Sequence, residues 1–194
     1  DGAGSTSRPI IVGARRTPPP TFTARIESIT LNPSWTPPAS IVTGELLPRF
    51  RRNPGAASRE GFDVLDNAGR IVAPADVDWR ARPFPYTLRQ RPGPGNALGR
   101  LRFDVPNPHA VYLHDTSSRG LFARSDRALS HGCIRVAEPV GLAASVLADP
   151  AGDVAALGSA IETGATRVVP LDAPLPIYVI YWTAAADESS IVKY

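Results

Sequence analysis

Residues 111–136 read VYLHDTSSRGLFARSDRALSHGCIRV, and this stretch holds the only cysteine of the chain, Cys133, with two of its three histidines, His114 and His131. Cys133 follows His131 by two residues and His114 by nineteen. A single cysteine forms no internal disulfide, so its thiol is inert packing, a metal ligand or a nucleophile. Inert packing is the usual fate of an isolated cysteine, but the flanking Ser130-His131-Gly132 is small, polar and turn-prone, a poor setting for a core. His114, His131 and Cys133 could supply three zinc ligands. Their spacing matches no common zinc pattern, and no metal or other cofactor is expected.

The nucleophile reading accounts for more of the stretch. A thiol is weakly ionised at neutral pH, and an imidazole that takes its proton makes the attacking thiolate. His114 ends the strand-like run AVYL, which gives its ring a rigid support facing a loop. Gly132 lets the backbone turn sharply beside the sulfur, so the amides of Gly132 and Cys133 are candidates for an oxyanion hole. The imidazole also needs an acceptor for its other nitrogen. Neighbours on a strand point to opposite faces, so the Asp115 carboxylate is badly placed and a backbone carbonyl is the better candidate. A thiolate, a base and amide donors make an acyl-transfer site.

Working outward, the 194 residues suit one substantial core, as a single domain with an embellishment. With 43% hydrophobic and 20% charged residues the composition is that of a globular protein, and no apolar run approaches the roughly 20 residues of a membrane span. Residues 1–9 are expected to be a flexible leader. Strands are expected at Ile10 to Val12, Phe22 to Leu31, within LGRLRFDVPN and AVYLHDT, and in the closing TRVVPL and LPIYVIYWTAAA. Ser40 is a candidate N-cap for a helix over IVTGELLPRF. Two further helices fit EPVGLAASVLADP and DVAALGSAIETG, with stops at Asp149-Pro150 and Gly164. Between them, residues 45–95 are broken up by Gly, Pro and Arg, with small strands at FDVLD, RIVAP and YTLRQ and a hairpin turn at Asn67 to Gly69. They read as a small inserted subdomain. The fold class is mainly β, a largely antiparallel β domain with one or two helices at its side.

Charge is uneven. Between Arg49 and Arg102 there are eleven arginines against five carboxylates, while the whole chain carries only +3. The electropositive insert suits an anionic, carboxylate-rich substrate; without interleaved aromatics it does not suggest nucleic acid.

At YLHDT followed by LFARSDRALSHGCIRV, the sequence closely resembles the L,D-transpeptidases, the YkuD-like catalytic domain, in its larger Gram-negative branch with a substrate-capping subdomain. The resemblance reaches upstream through LNPSWTPPASI and RQRPGPGNALGRLRF and covers residues 9 to 186. It implies a β sandwich with side helices and a capping insert, and an enzyme of the periplasm or cell wall whose partners are peptidoglycan stem peptides. Carried over by residue, Cys133 is the nucleophile and His114 the general base and then acid. The Asp115 carbonyl orients His114, and the Gly132 and Cys133 amides form the oxyanion hole. In that family the cysteine cleaves the L,D bond of a tetrapeptide stem, forms a thioester and passes it to the side-chain amine of diaminopimelate, a 3→3 cross-link. Acylation by carbapenems is also implied.

Arg135 stands where many members have Asn, and is expected to bind a stem carboxylate. Ser130, His131, Tyr112 and Trp35 are further substrate-side candidates. For each there is a plainer alternative: motif geometry for His131, strand packing for Tyr112, loop anchoring for Trp35. His109 is assigned no role. Hydrolysis from the same site, a 1→3 linkage and a non-catalytic peptidoglycan-binding module stay open.

Overall fold

Alternating residues in two neighbouring strands set the architecture. Ile29 and Leu31 pair across the ladder with Phe103 and Leu101, and all four are completely buried. Burying one such side chain stabilises the fold by roughly 1.5–3 kcal/mol. The residues between them, Ser28, Thr30, Arg102 and Asp104, point to the opposite face. One face is therefore apolar and the other polar.

The computed structural model describes residues 6–147, 153–180, 185–186 and 192–193. Residues 1–5 of the expected leader, the stop at Asp149-Pro150 and most of the closing segment beyond residue 180 lie outside the described residues. The strands are β1 (Ile10–Gly13), β2 (Phe22–Leu31), β3 (Phe62–Leu65), β4 (Ile71–Val72), β5 (Thr87–Gln90), β6 (Leu101–Asp104), β7 (Leu113–His114), β8 (Ala128–Ser130), β9 (Ile134–Val136), β10 (Arg167–Val179), β11 (Ala185–Ala186) and β12 (Val192–Lys193). The helices are α1 (Ala39–Ile41), α2 (Leu47–Arg52), α3 (Gly55–Arg59), α4 (Pro139–Val146) and α5 (Asp153–Glu162).

Seven strands form the main sheet in the order β10, β2, β6, β7, β9, β1, β8, and β4, β3, β5 form a second. On the apolar face of the main sheet, Ala143 and Ala144 of α4 with Leu157 and Ile161 of α5 complete the core. The β-rich fold with side helices is the one expected. Most pairings are antiparallel, but β7 with β9 and β1 with β8 are parallel. A parallel neighbour cannot be reached by a tight hairpin and needs a crossover of a dozen or more residues. The long gap between His114 and Cys133 is that crossover, and it carries β8 and a 3₁₀ turn at Arg119–Ala123.

The segment expected to form a helix from Ser40 differs in detail. The run begins at Ala39, after Pro38 as N-cap and without a side-chain cap bond, and widens into a π-helical turn over Val42–Leu46 before α2. Pro48 has no N–H to donate within this continuous helical run, and the change of helix type that accommodates its ring falls just ahead of it. A second core gathers Leu46, Leu47, Phe50, Phe62, Val64, Trp79 and Leu88, with Trp35 packed against it. It therefore draws on residues upstream of position 45. The Phe50 ring stands edge-on to both Phe62 and Trp79, at 5.5 and 5.4 Å. At Asn67 to Gly69 the expected turn is present: Asp66 Oδ1 accepts the amides of Ala68 and Arg70, and Gly69 takes φ +77°.

Candidate active site

The cysteine sits in a turn between β8 and β9 that is held from within. The Ser130 hydroxyl donates to the Cys133 carbonyl oxygen at 2.6 Å and accepts the Gly132 amide at 3.1 Å. Gly132 has φ +128°, a backbone conformation that L residues rarely adopt. The turn rests on β1: Gly13 pairs with Ser130, and Ala14 donates its amide to the Ser130 carbonyl at 2.8 Å. A Cβ on Gly13 would lie 2.0 Å from the Thr17 carbonyl oxygen and 3.2 Å from the Gly132 Cα. Only glycine lets β1 approach so closely.

Two of the expected site groups are engaged inside this turn. Ser130, a substrate-side candidate, is 4% exposed, and its hydroxyl both donates and accepts inside the turn. The Gly132 amide, a candidate oxyanion donor, is occupied by Ser130 in this state.

The parallel register brings the histidine strand beside the cysteine. Leu113 pairs with Ile134 and His114 with Arg135, and the Ile134 amide donates to the Tyr112 carbonyl at 2.8 Å. Cys133 thus runs alongside Tyr112. On its other side His114 pairs with Arg102 of β6. The ring is flanked by two arginine-bearing strands on the polar face of the sheet.

His114 is 4% exposed, and its Nδ1–H donates to the Asp115 carbonyl at 2.5 Å. A carbonyl oxygen only accepts, so Nδ1 carries the proton of the neutral ring and Nε2 keeps its lone pair. Burial pushes the imidazole down from 6.5 to about 4; the Asp115 carbonyl pulls the other way, and the Arg135 and Arg102 charges add to the depression. Burial also pushes the half-buried Cys133 thiol up, against the Tyr112 backbone and the Arg135 charge. Both groups favour their neutral forms, so the resting site is a thiol and an imidazole rather than an ion pair.

Arg135 is partly buried, and its Nε is sealed from solvent with no hydrogen-bond partner among the described residues. A guanidinium left unpaired beside the sulfur is suited to an incoming anion. Arg102 is already satisfied. Its Nε donates to Asp104 Oδ1 at 2.7 Å, the Ser28 and Thr30 hydroxyls fill Asp104 Oδ2 at 2.8 and 2.6 Å, and the guanidinium lies 5.3 Å from the Tyr112 ring centre. Tyr112 borders a shallow groove with Asp104, Pro106, Asn107 and Ala110.

The remaining candidates lie further out. His131 projects to solvent, and its Nε2–H donates to Glu45 Oε1 of the π-helical turn at 2.6 Å, joining the cysteine turn to the helical segment. Trp35 exchanges two backbone hydrogen bonds with Gln90 and packs beside Phe62 in the second core, so it anchors its loop. The His109 ring lies tilted by 49° against Phe22, with 5.4 Å between ring centres. Sequence reading missed Gly13, Gly99, Arg102, Asp104 and Arg119. The period-2 pattern of LRFD was the signal for two of them, since it places Arg102 and Asp104 on the face that His114 occupies. Among the described residues no group of three or more His, Cys, Asp or Glu side chains is placed to hold a metal ion, and no helix is long and apolar enough to cross a membrane.

The family model for the L,D-transpeptidase catalytic domain, YkuD, matches residues 1–169. The chain is 34% identical over 186 residues to a Haemophilus influenzae protein named "Putative L,D-transpeptidase". That alignment covers 95% of this chain and 38% of the relative, so the chain spans well under half of the relative's length. These matches define the class, an L,D-transpeptidase catalytic domain. The chain belongs to the YkuD family.

Proposed function

We propose that the chain is a peptidoglycan L,D-transpeptidase working through a thioester on Cys133. The observation that carries this reading is the register of β7 against β9, which seats the Tyr112–His114 strand alongside Cys133 while Asp115 fixes the His114 tautomer. As the sulfur attacks the carbonyl carbon of the L,D peptide bond, His114 Nε2 takes the thiol proton and the carbonyl oxygen becomes an oxyanion. The Cys133 amide is the first donor to that oxyanion. Gly132 joins if the Ser130 hydroxyl releases it. Collapse of the tetrahedral species breaks the C–N bond; His114 returns its proton to the departing amine of D-alanine and the thioester remains. The side-chain amine of diaminopimelate on a second stem then attacks, gives a proton to His114 and expels the sulfur, which regains it. The product is a 3→3 cross-link and a regenerated thiol.

A neutral resting pair suits this order of events. The thiolate forms as the sulfur meets an electrophile and His114 takes the proton, so the resting thiol is less open to oxidation between turnovers. Arg135 is assigned to a stem carboxylate, and Tyr112 to the groove it borders with Asp104 and Asn107. The arginine-rich second sheet and its helices are assigned as the cap over an anionic donor. The substrate places the enzyme at the cell wall, on the periplasmic side of the inner membrane, and a carbapenem would acylate the same sulfur.

Incubating purified muropeptides with the protein and with Cys133→Ala tests the reading. Cross-linked dimers made only by the unsubstituted protein are the expected outcome. Trimmed monomers would instead make water the acceptor and the enzyme a carboxypeptidase; dimers joined through another stem residue would revise the linkage; no product at all would favour a binding module.

A further inference from the structure

The Asp115 carboxylate faces away from the His114 ring and is nonetheless completely engaged. Its side chain is 3% exposed. Oδ2 accepts the Arg100 amide at 2.9 Å, and Arg119 Nη2 lies 3.1 Å from Oδ2 and 3.3 Å from Oδ1. The floor beneath it is Gly99, at φ +63°, where a Cβ would come within 2.5 Å of the carboxylate carbon and Oδ2. The Asp115 amide donates to the Leu101 carbonyl at 2.8 Å. Every polar group of Asp115 is thus spoken for, and its one remaining acceptor, the carbonyl, holds His114.

A carboxylate taken out of water needs compensating partners; the Arg119 side chain is 65% exposed, so the pair is buried on its carboxylate side only, and losing the arginine leaves that carboxylate with the Arg100 amide alone. The only cation paired with Asp115 among the described residues is Arg119, at the start of the 3₁₀ turn in the crossover. Without it the carboxylate, held by the Arg100 amide alone, is drawn to rotate toward solvent. That rotation moves the backbone of residue 115, and with it the carbonyl that fixes the imidazole.

We infer that Arg119 and the Asp115 side chain form a positioning clamp for His114, in which the Arg119–Asp115 pair seated on Gly99 aims the Asp115 carbonyl at Nδ1. Arg119 is then a positioning residue for the proton transfer, acting only through His114. The inference rests on His114 being the base proposed above, but not on the identity of the substrate.

Cys133 is the chain's only cysteine, so its alkylation by iodoacetamide reads the base without any peptide present. The rate is measured for Arg119→Gln, Asp115→Asn and Arg119→Lys, each in the native background and in a His114→Ala background. In the native background Arg119→Gln and Asp115→Asn are expected to slow alkylation about tenfold, on the scale of the loss when the residue orienting a metal-bound histidine is removed, while Arg119→Lys keeps most of the rate. In the His114→Ala background all three should change it by no more than about twofold. Equal slowing in both backgrounds, or none in either, overturns the clamp. If His114→Ala alone leaves alkylation unchanged, the clamp has no base to act on and falls with that assignment. Absence of muropeptide products with normal alkylation coupling would refute the substrate assignment and leave the clamp standing.

Discussion

His114 Nδ1 lies 2.5 Å from the carbonyl oxygen of Asp115, so the residue next in sequence holds the ring through its backbone while its carboxylate looks the other way. This one contact fixes the tautomer. It also supplies the main force that opposes the loss of basicity from burial.

The depressed imidazole predicts a pH profile. His114 has to be unprotonated to act, so the acid limb of kcat/KM should fall near pH 4 rather than near 6.5. Rates of donor cleavage between pH 3.5 and 8 check this. An acid limb at the ordinary histidine value would show that the ring is better solvated than its burial implies.

Stability follows from the same shift. Between pH 6.5 and about 4 the unfolded chain takes up a proton at residue 114 that the folded chain refuses. The contribution is intact above 6.5 and is lost as pH falls through that window, by about 3 kcal/mol in all. Thermal melts at pH 7 and pH 4.5 should therefore show a larger drop in Tm for the native protein than for His114→Gln, which has nothing to titrate there.

Gly132→Ala separates backbone strain from crowding. A Cβ at this position meets nothing within 4 Å, so the whole cost comes from φ +128°. We expect a loss of about 1–3 kcal/mol in stability, by urea melts, and a fall of about 10²-fold in kcat as the turn re-aims the sulfur. Unchanged kcat would mean that the turn does not set the nucleophile.

The arginine surplus predicts salt-dependent steering. Glu60 is paired with Arg49, Asp66 with Arg70, and Asp63 with Arg89 and Arg91, so that among the described residues exposed Arg52, Arg59, Arg80 and Arg82 make no ion pair and outnumber the two unpaired carboxylates of the segment, Asp76 and Asp78. Arg52→Glu with Arg80→Glu should lower donor kcat/KM by about tenfold at low salt. The difference should vanish near 1 M salt, where charges are screened beyond about 3 Å. Arg51 is the wrong site for this test, because its Nε holds the Trp79 carbonyl at 2.7 Å and its loss disturbs the second core.

Much of this arrangement was legible in the sequence, and the gaps have physical causes. Period-2 alternation in LRFD and FTARIESITL marked the strands that build the core. The side-chain alternation at His114 and Asp115 pointed to a carbonyl as the acceptor, and it is the carbonyl that meets Nδ1. What sequence could not supply was partnership at a distance. The parallel pairing of β7 with β9 depends on a crossover whose short β8 has no period of its own. Ser130 reads as a polar loop residue until the turn closes around its hydroxyl. Gly13 and Gly99 look like ordinary loop glycines, and their need appears only when Thr17 and Asp115 pack against them. The pairing of Trp35 with Gln90, fifty-five residues on, likewise has no signal in the local sequence.

The most direct test of the central claim is the mass of the protein after exposure to a tetrapeptide stem with no acceptor amine. The account predicts a covalent gain equal to the stem less its D-alanine, located on the peptide containing Cys133 and absent from Cys133→Ala. Release of D-alanine by Cys133→Ala at the native rate, or an adduct on any other residue, would contradict it.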